Sequence, residues 1–276
     1  MQETRMAVVN GEKIPVLISD EKEALLAAKA AGGAIVGLWR AGQETGQLAA
    51  ADYVMEDMEA ATEEFLERVA RRHLGLPWNI CETKRLHIRE MAKEDLGEVW
   101  QRNIGDGFET MDGLMAYTKH QYQFYEFGFW AVTEKASGKL VGVAGLRVPA
   151  EDVTEDRFAE TSDRAFNDRF AETEEPVRKE LEMLEEEHAS EEQRENRLEV
   201  FRADGAVDAE DQAMVLELGY HIFSEYRRQG YALECCQGIM EYGIRELGVS
   251  QFEVRIARDN AASRQLAEKL GFHSMG

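Results

Sequence analysis

One stretch of this 276-residue chain constrains its fold more than any other. Val215 to Phe223 is rich in apolar and aromatic residues and reads as a strand. Ser224 to Tyr231 is polar, and its Gly230 has no side chain to block an approaching ligand. From Ala232 onward, Leu233, Cys236, Ile239 and Met240 keep helical spacing. A strand, a loop with a close-approach glycine and a helix start together form an anion site. The unpaired N–H groups of the first turn and the helix dipole point at one spot. A regular strand puts Val215, Glu217, Gly219, His221 and Phe223 on one face.

The spacing narrows the choice of ligand. Arg227-Arg228-Gln229-Gly230-Tyr231-Ala232 fits R/Q-x-x-G-x-G/A and resembles the pyrophosphate loop of the GNAT acetyltransferases. A Rossmann loop is the alternative, but it wants G-x-G-x-x-G and this loop has one glycine. Downstream, Asp259-Asn260-Ala-Ala-Ser263-Arg-Gln-Leu-Ala-Glu-Lys-Leu-Gly271-Phe272 resembles the N-x-x-S-x-x-L-x-E-K-L-G-F segment of the branch that includes the Rim-type ribosomal-protein N-acetyltransferases. A strand, Phe252 to Ile256, lies between the two segments. Glu82 to Glu90 alternates as a strand and resembles the opening of that branch. The resemblance implies an α/β (α+β) fold, a mixed sheet flanked by helices, spanning residues 82–276 after a linker at 77–81. Helices are expected at Ala92–Trp100 and Asp112–Phe127, and a hairpin at Phe129–Val132 and Leu140–Leu146 around Ser137-Gly138-Lys139. The aromatic stripe of the second helix (Met115, Tyr122, Phe124, Tyr125) is expected in the core, with a substrate wall as the alternative.

The resemblance also implies a chemistry, acetyl transfer from acetyl-CoA to a primary amine by direct attack, with no metal. Backbone N–H groups of Arg228 to Ala232 would hold the pyrophosphate, Arg227 would belong to the same loop, and Asn260 with the Ser263 hydroxyl would bind the pantetheine arm. The oxyanion needs a donor. In the family it is a backbone N–H on the strand before the loop, near His221, Ile222 and Phe223 here. The amine needs a base. Glu217 matches the acid of an a-E-i-G-Y segment, written here Leu216-Glu217-Leu218-Gly219-Tyr220, and is the first choice; His221 is the second. The family's usual tyrosine acid would stand where this chain has Ala267, so Ser263 or a water is expected to protonate the thiolate. Cys235 and Cys236 fall in the helix interior and are expected in the core.

The first 76 residues form a separate small α/β domain by their pattern. Met6–Val9 and Ile14–Ile18 make a hairpin around Asn10-Gly11, whose turn needs positive φ. A helix over Glu21–Ala31 ends at Gly32-Gly33, strands follow at Ala34–Trp39 and Ala51–Met55, and an amphipathic helix runs from Met58 to His73 with Ala61, Phe65, Val69 and His73 on one face. Ile18-Ser-Asp20, Ala27 to Gly32, Val36-Gly37 and Ala51 to Val54 weakly resemble the C-terminal third of haloacid-dehalogenase-type phosphatases. The D-x-D nucleophile motif is lacking, and Ala24 stands where a second acid is needed. A degenerate, non-catalytic fragment follows from this, with Asp20 as a helix N-cap.

Residues 151–209 depart from the family as an insertion. Within 151–200 there are 19 acidic residues against 7 basic. Phe166, Phe170, Val177, Leu181, Leu184 and His188 keep near-helical spacing, Pro176 suits a first turn, and Ser190 to Gln193 reads as a capping box. Two or three helices are expected, serving as a solvated arm, a homodimer contact or an acidic lid for a cationic acceptor, with flexible filler as the remaining alternative. The family's sheet continues after Phe272 with two more strands, whose place another segment must fill unless they lie beyond Gly276. Net charge −22 argues against nucleic acid or an anionic membrane as partner. No run reaches the roughly 18 apolar residues of a membrane span. Three cysteines without metal spacing (Cys81, Cys235, Cys236) indicate reduced thiols and a cytoplasmic protein. The leading expectation is an N-acetyltransferase; the alternative is a non-catalytic acyl-CoA sensor or scaffold.

Overall fold

The structure, a computed structural model, describes residues 1–102, 110–149, 198–204 and 214–274. It divides into two compact units, Met1–Val143 and Ala144–Gly276. The boundary expected at residues 77–81 falls inside the first of them.

The first unit opens with β1 (Gln2–Val9) and β2 (Glu12–Ser19), paired antiparallel from Gln2↔Ser19 to Val9↔Glu12. The turn between them takes the left-handed conformation at Asn10 (φ 52) and Gly11 (φ 86), as Asn-Gly predicts. Helix α1 (Lys22–Ala30) crosses to β3 (Ala34–Leu38), which lies parallel to β2; β4 (Val54–Met55) adds parallel to β3. The sheet order is β1-β2-β3-β4. Helix α2 (Glu63–His73) sets Leu66, Val69 and Ala70 in one core with Val9, Val16, Ile18 and Val36. Leu25 of α1 packs with Ile35 and Leu48 in a second cluster. Every residue of β3 is buried, as an apolar run paired on both edges predicts.

Two expectations here are corrected. The helix expected from Met58 starts at Glu63, because the Thr62 side chain accepts from the Phe65 N–H and caps it. Asp20 is not an N-cap: Glu21 holds that position without a side-chain cap, and the Ser19 hydroxyl accepts from the Glu21 N–H. The Asp20 carboxylate instead takes the Met1 ammonium, which holds its carboxyl below the usual range. A full positive charge competes better for a carboxylate than a helix N–H does.

The unit continues through β5 (Asn79–Glu82), β6 (Leu86–Arg89), α3 (Lys93–Gln101), α4 (Met111–Tyr125) and β7 (Phe129–Glu134). Strands β5, β6 and β7 are successive antiparallel neighbours. The single strand expected over Glu82–Glu90 is thus a hairpin that begins within the expected linker. Thr83 folds it, accepting from the Leu86 N–H at 3.0 Å. The aromatic stripe of α4 divides: Tyr122 is buried, but Met115 and Phe124 are 47% and 66% exposed, so only Tyr122 meets the expectation of a core.

Strand β8 (Leu140–Arg147) runs through the boundary. The second unit adds β9 (Leu198–Asp204), β10 (Val215–Ile222), helix α5 (Tyr231–Glu246), β11 (Gln251–Ala257), helix α6 (Ala261–Lys269) and β12 (His273–Ser274). Its sheet order is β8-β10-β11-β9-β12. Strand β9 lies inside the insertion, where helices but no strand were expected. β9 pairs antiparallel with all of β11. The helices expected between Phe166 and Gln193 lie outside the described residues. Cys235 and Cys236 are fully buried, as expected. Gly243 lets α5 approach the sheet: a Cβ there would lie 2.9 Å from Phe252 Cζ and 3.3 Å from Leu146 Cδ1.

Candidate functional site

Strands β10 and β11 pair in parallel only from Val215↔Gln251 to Glu217↔Glu253. Both run on for four or five residues after that without pairing to each other, so they fork. The edge of β10 from Leu218 to Ile222 is left open to accept an extended ligand by backbone hydrogen bonds.

At the open end the loop turns sharply. Arg228 (φ 64) and Gly230 (φ 81) both take the left-handed conformation, which costs glycine nothing and arginine some strain. Gly230 is the N-cap of α5 and supplies no side-chain cap. Gly230 offers no side-chain oxygen, and the Ala232 and Leu233 N–H groups in the first turn of α5 have no intrahelical acceptor. The Arg227 guanidinium turns back, its Nε donating to the Ile222 carbonyl at 2.9 Å, and braces the loop against the strand end.

These elements enclose a cavity of about 470 Å³, lined among others by Tyr220, His221, Ile222, Arg228, Gly230 and Tyr231. Arg227, Ala232, Asn260 and Ser263 also line it. Gln229 and Phe223 do not: Gln229 is exposed and its amide donates to the Glu225 carbonyl at 3.4 Å, and the Phe223 ring is fully buried. A part for either in ligand binding runs through the backbone. Asn260 caps α6, its Oδ1 accepting from the Ser263 N–H at 3.1 Å, which leaves its Nδ2 donor for a ligand.

Tyr220 is the residue the sequence reading missed. Its hydroxyl shares a hydrogen bond with the Ser263 side chain, and burial pushes the phenol up to about 12. It stays a neutral proton donor throughout the physiological range. The period-two alternation of β10 was the available signal, since it puts Tyr220 on the face opposite Glu217, towards α5. The Cys236 thiol is pushed well above its ordinary value by burial, which keeps it protonated and unreactive.

Glu217 is brought to the fork but not into the cavity. It is 2% exposed; Oε1 lies 2.6 Å from Arg147 Nη2, and Oε2 lies 3.4 Å from Arg255 Nε. Its register partner Glu253 is equally buried and takes Arg202 at 2.6 Å. The fork is thus built on carboxylates held by guanidinium groups. This layer is structural in form: Oε2 makes no hydrogen bond, but it is buried and Glu217 does not line the cavity where an amine would enter. His221, half-buried, reaches the cavity from that strand beside Tyr220.

Known proteins resemble the chain in this region. Residues 153–273 match the family model of the acetyltransferase (GNAT) domain. The Bacillus subtilis N-acetyltransferases YoaA and YjdG, both uncharacterized, are 38% identical over 60 residues and 30% identical over 74. Those segments make up 22% and 27% of this chain, and 34% and 44% of the two relatives, so the chain spans less than half the length of either. Among solved structures, a GnaT-family acetyltransferase from Bordetella pertussis is 17% identical with TM-score 0.44, covering 71% of this chain and 89% of that one. The ribosomal-protein-S5-alanine acetyltransferase from Vibrio fischeri is 12% identical with TM-score 0.42, covering 72% and 85%. The matched family segment contains the fork, the loop and the Asn260 cap described above, and over these residues the chain is similar to the GNAT acetyltransferase domain.

Proposed function

We propose that the chain is an acetyl-CoA-dependent N-acetyltransferase acting on a primary amine. The forked β10–β11 pair beside an uncapped helix start is the observation that carries this reading. The pyrophosphate would take the N–H groups of the loop and of the first turn of α5. The pantetheine arm would lie along the open edge of β10, with the Asn260 amide beside it. Backbone N–H groups near His221 to Phe223 would stabilise the oxyanion.

Residue roles follow from exposure. His221 takes the proton of the attacking amine, directly or through a water. The amine nitrogen bonds to the acetyl carbon, the C–S bond breaks, and the leaving thiolate receives a proton from the Tyr220 hydroxyl, which Ser263 supports. Glu217 holds Arg147 and Arg255 and so fixes the strand that presents His221. The residues of the cavity suit such a cofactor, but it is the similarity to that domain that points to acetyl-CoA. Gly230→Glu sets a carboxylate against the pyrophosphate and is expected to abolish acetyl-CoA binding in calorimetry with the circular dichroism spectrum unchanged. Unaltered binding refutes the cofactor site.

The locked state of Glu217 favours a second reading, a non-catalytic acyl-CoA sensor. Thiol release over a panel of amines and peptide N-termini separates the two. Turnover that is lost in His221→Gln with acetyl-CoA binding retained supports the enzyme; binding without turnover on the panel supports the sensor.

A further inference from the structure

A second cavity, of about 530 Å³, lies wholly within the first unit and shares no lining residue with the cavity described above. Its size suits a small organic ligand. One stripe of α4 forms a wall: Met115, Thr118, Lys119, Tyr122 and Gln123 all line it, the i, i+3, i+4, i+7, i+8 face of a helix. Leu76, Met91 and Leu96 add apolar surface.

The charges lining it are unusual for this protein. In a chain of net charge −22, four cations (Lys29, Arg72, Lys93, Lys119) and two carboxylates (Asp52, Glu90) face one space. Both carboxylates are already engaged. Glu90 accepts Arg72 Nη2 at 2.6 Å and the Trp78 N–H at 3.1 Å; Asp52 lies 3.4 Å from Lys29 Nζ. Lys93 and Lys119, both exposed, pair with no acid among the described residues. With both acids paired, the two uncommitted ammonium groups leave a local positive excess beside an apolar wall. Met115, an apolar side chain, is 47% exposed on that wall.

We infer that this cavity binds a small amphipathic anion, a phosphate or carboxylate head on an apolar body. The head sits between Lys93 and Lys119 and the body lies against Met115 and Leu76. The site does not depend on the acetyltransferase reading.

Calorimetry on the full chain tests it with two probes, 1-naphthyl phosphate and octanoate. Saturable one-to-one binding of either supports the site, and the probe that saturates identifies the head group. Lys93→Glu with Lys119→Glu should weaken that binding about tenfold or more. Thr118→Trp, which fills the cavity from α4, should block it by a route that leaves the charges alone. Acetyl-CoA binding measured alongside reports an intact second unit, and Gly230→Glu should leave probe binding unchanged, so the two proposals fail separately. Absence of saturation by both probes at about 1 mM overturns the inference, as does an affinity unmoved by both the charge reversal and the filling substitution.

Discussion

Glu217→Gln tests whether the carboxylate at the fork serves structure or proton transfer. The substitution keeps the side-chain shape and one acceptor oxygen but removes the charge that faces Arg147 and Arg255. Breaking a buried ion pair by removing one partner costs about 3–5 kcal/mol. The Arg147 side chain is 38% exposed, so water recovers most of its share. Arg255 is 10% exposed and keeps the larger part of the penalty. Allowing for the retained acceptor, the loss should be about 2–3 kcal/mol. Hydrogen exchange reads this locally, without assuming that two units unfold together. Amides of β10 and β11 should lose protection by about 30- to 140-fold, at about 1.4 kcal/mol per factor of ten. Arg147→Met alone should cost much less. If protection in Glu217→Gln is unchanged while acetyl transfer disappears with cofactor binding intact, Glu217 is the base and the structural assignment is wrong.

Three further outcomes follow from the packing and the protonation states. Tyr220→Phe should lower kcat about 10- to 100-fold with little change in acetyl-CoA affinity; because burial pushes the phenol up to about 12, the parent's rate should show no fall from its ionisation below about pH 11. Gly243→Val drives carbon into Phe252 and Leu146 and should destabilise the second unit by about 1–3 kcal/mol in a denaturation series, since the clash outweighs a gain in helix propensity of under about 1 kcal/mol. Glu90→Gln strips Arg72, whose pKa that carboxylate raises, of its buried partner and should cost the first unit about 3 kcal/mol; adding Arg72→Met should recover part of that loss, and an additive double variant would contradict the pairing.

The parts of this fold legible in the sequence are those with local signals. Asn10-Gly11 announced its hairpin, and the helix after Gly230 began within a residue of its expected start. The anion loop was legible because a strand, a left-handed glycine and a helix start follow one another directly. What failed depended on distant partners. Asp20 looks like a cap until a chain terminus 19 residues away brings a stronger cation. The stripe on α4 shows that the helix has a face but not what stands opposite it, and Phe124 proved exposed. Strand β9 alternates, with Phe201 and Ala203 buried, but seven residues inside a run of charges gave too short a pattern to outweigh its surroundings. Tyr220 was hidden differently. The family pattern directed attention to position 267, and the alternation along β10 that turns Tyr220 towards Ser263 was not followed to that consequence.

The account stands or falls on the open edge of β10 and the loop beyond it. Amide hydrogen exchange of residues 218–232 with and without acetyl-CoA tests this most directly. Protection rising there on adding acetyl-CoA, and failing to rise in Gly230→Glu, is the expected result. Acetyl-CoA that protects other segments, or protects this one equally in the variant, would contradict the assignment of the fork as the cofactor site.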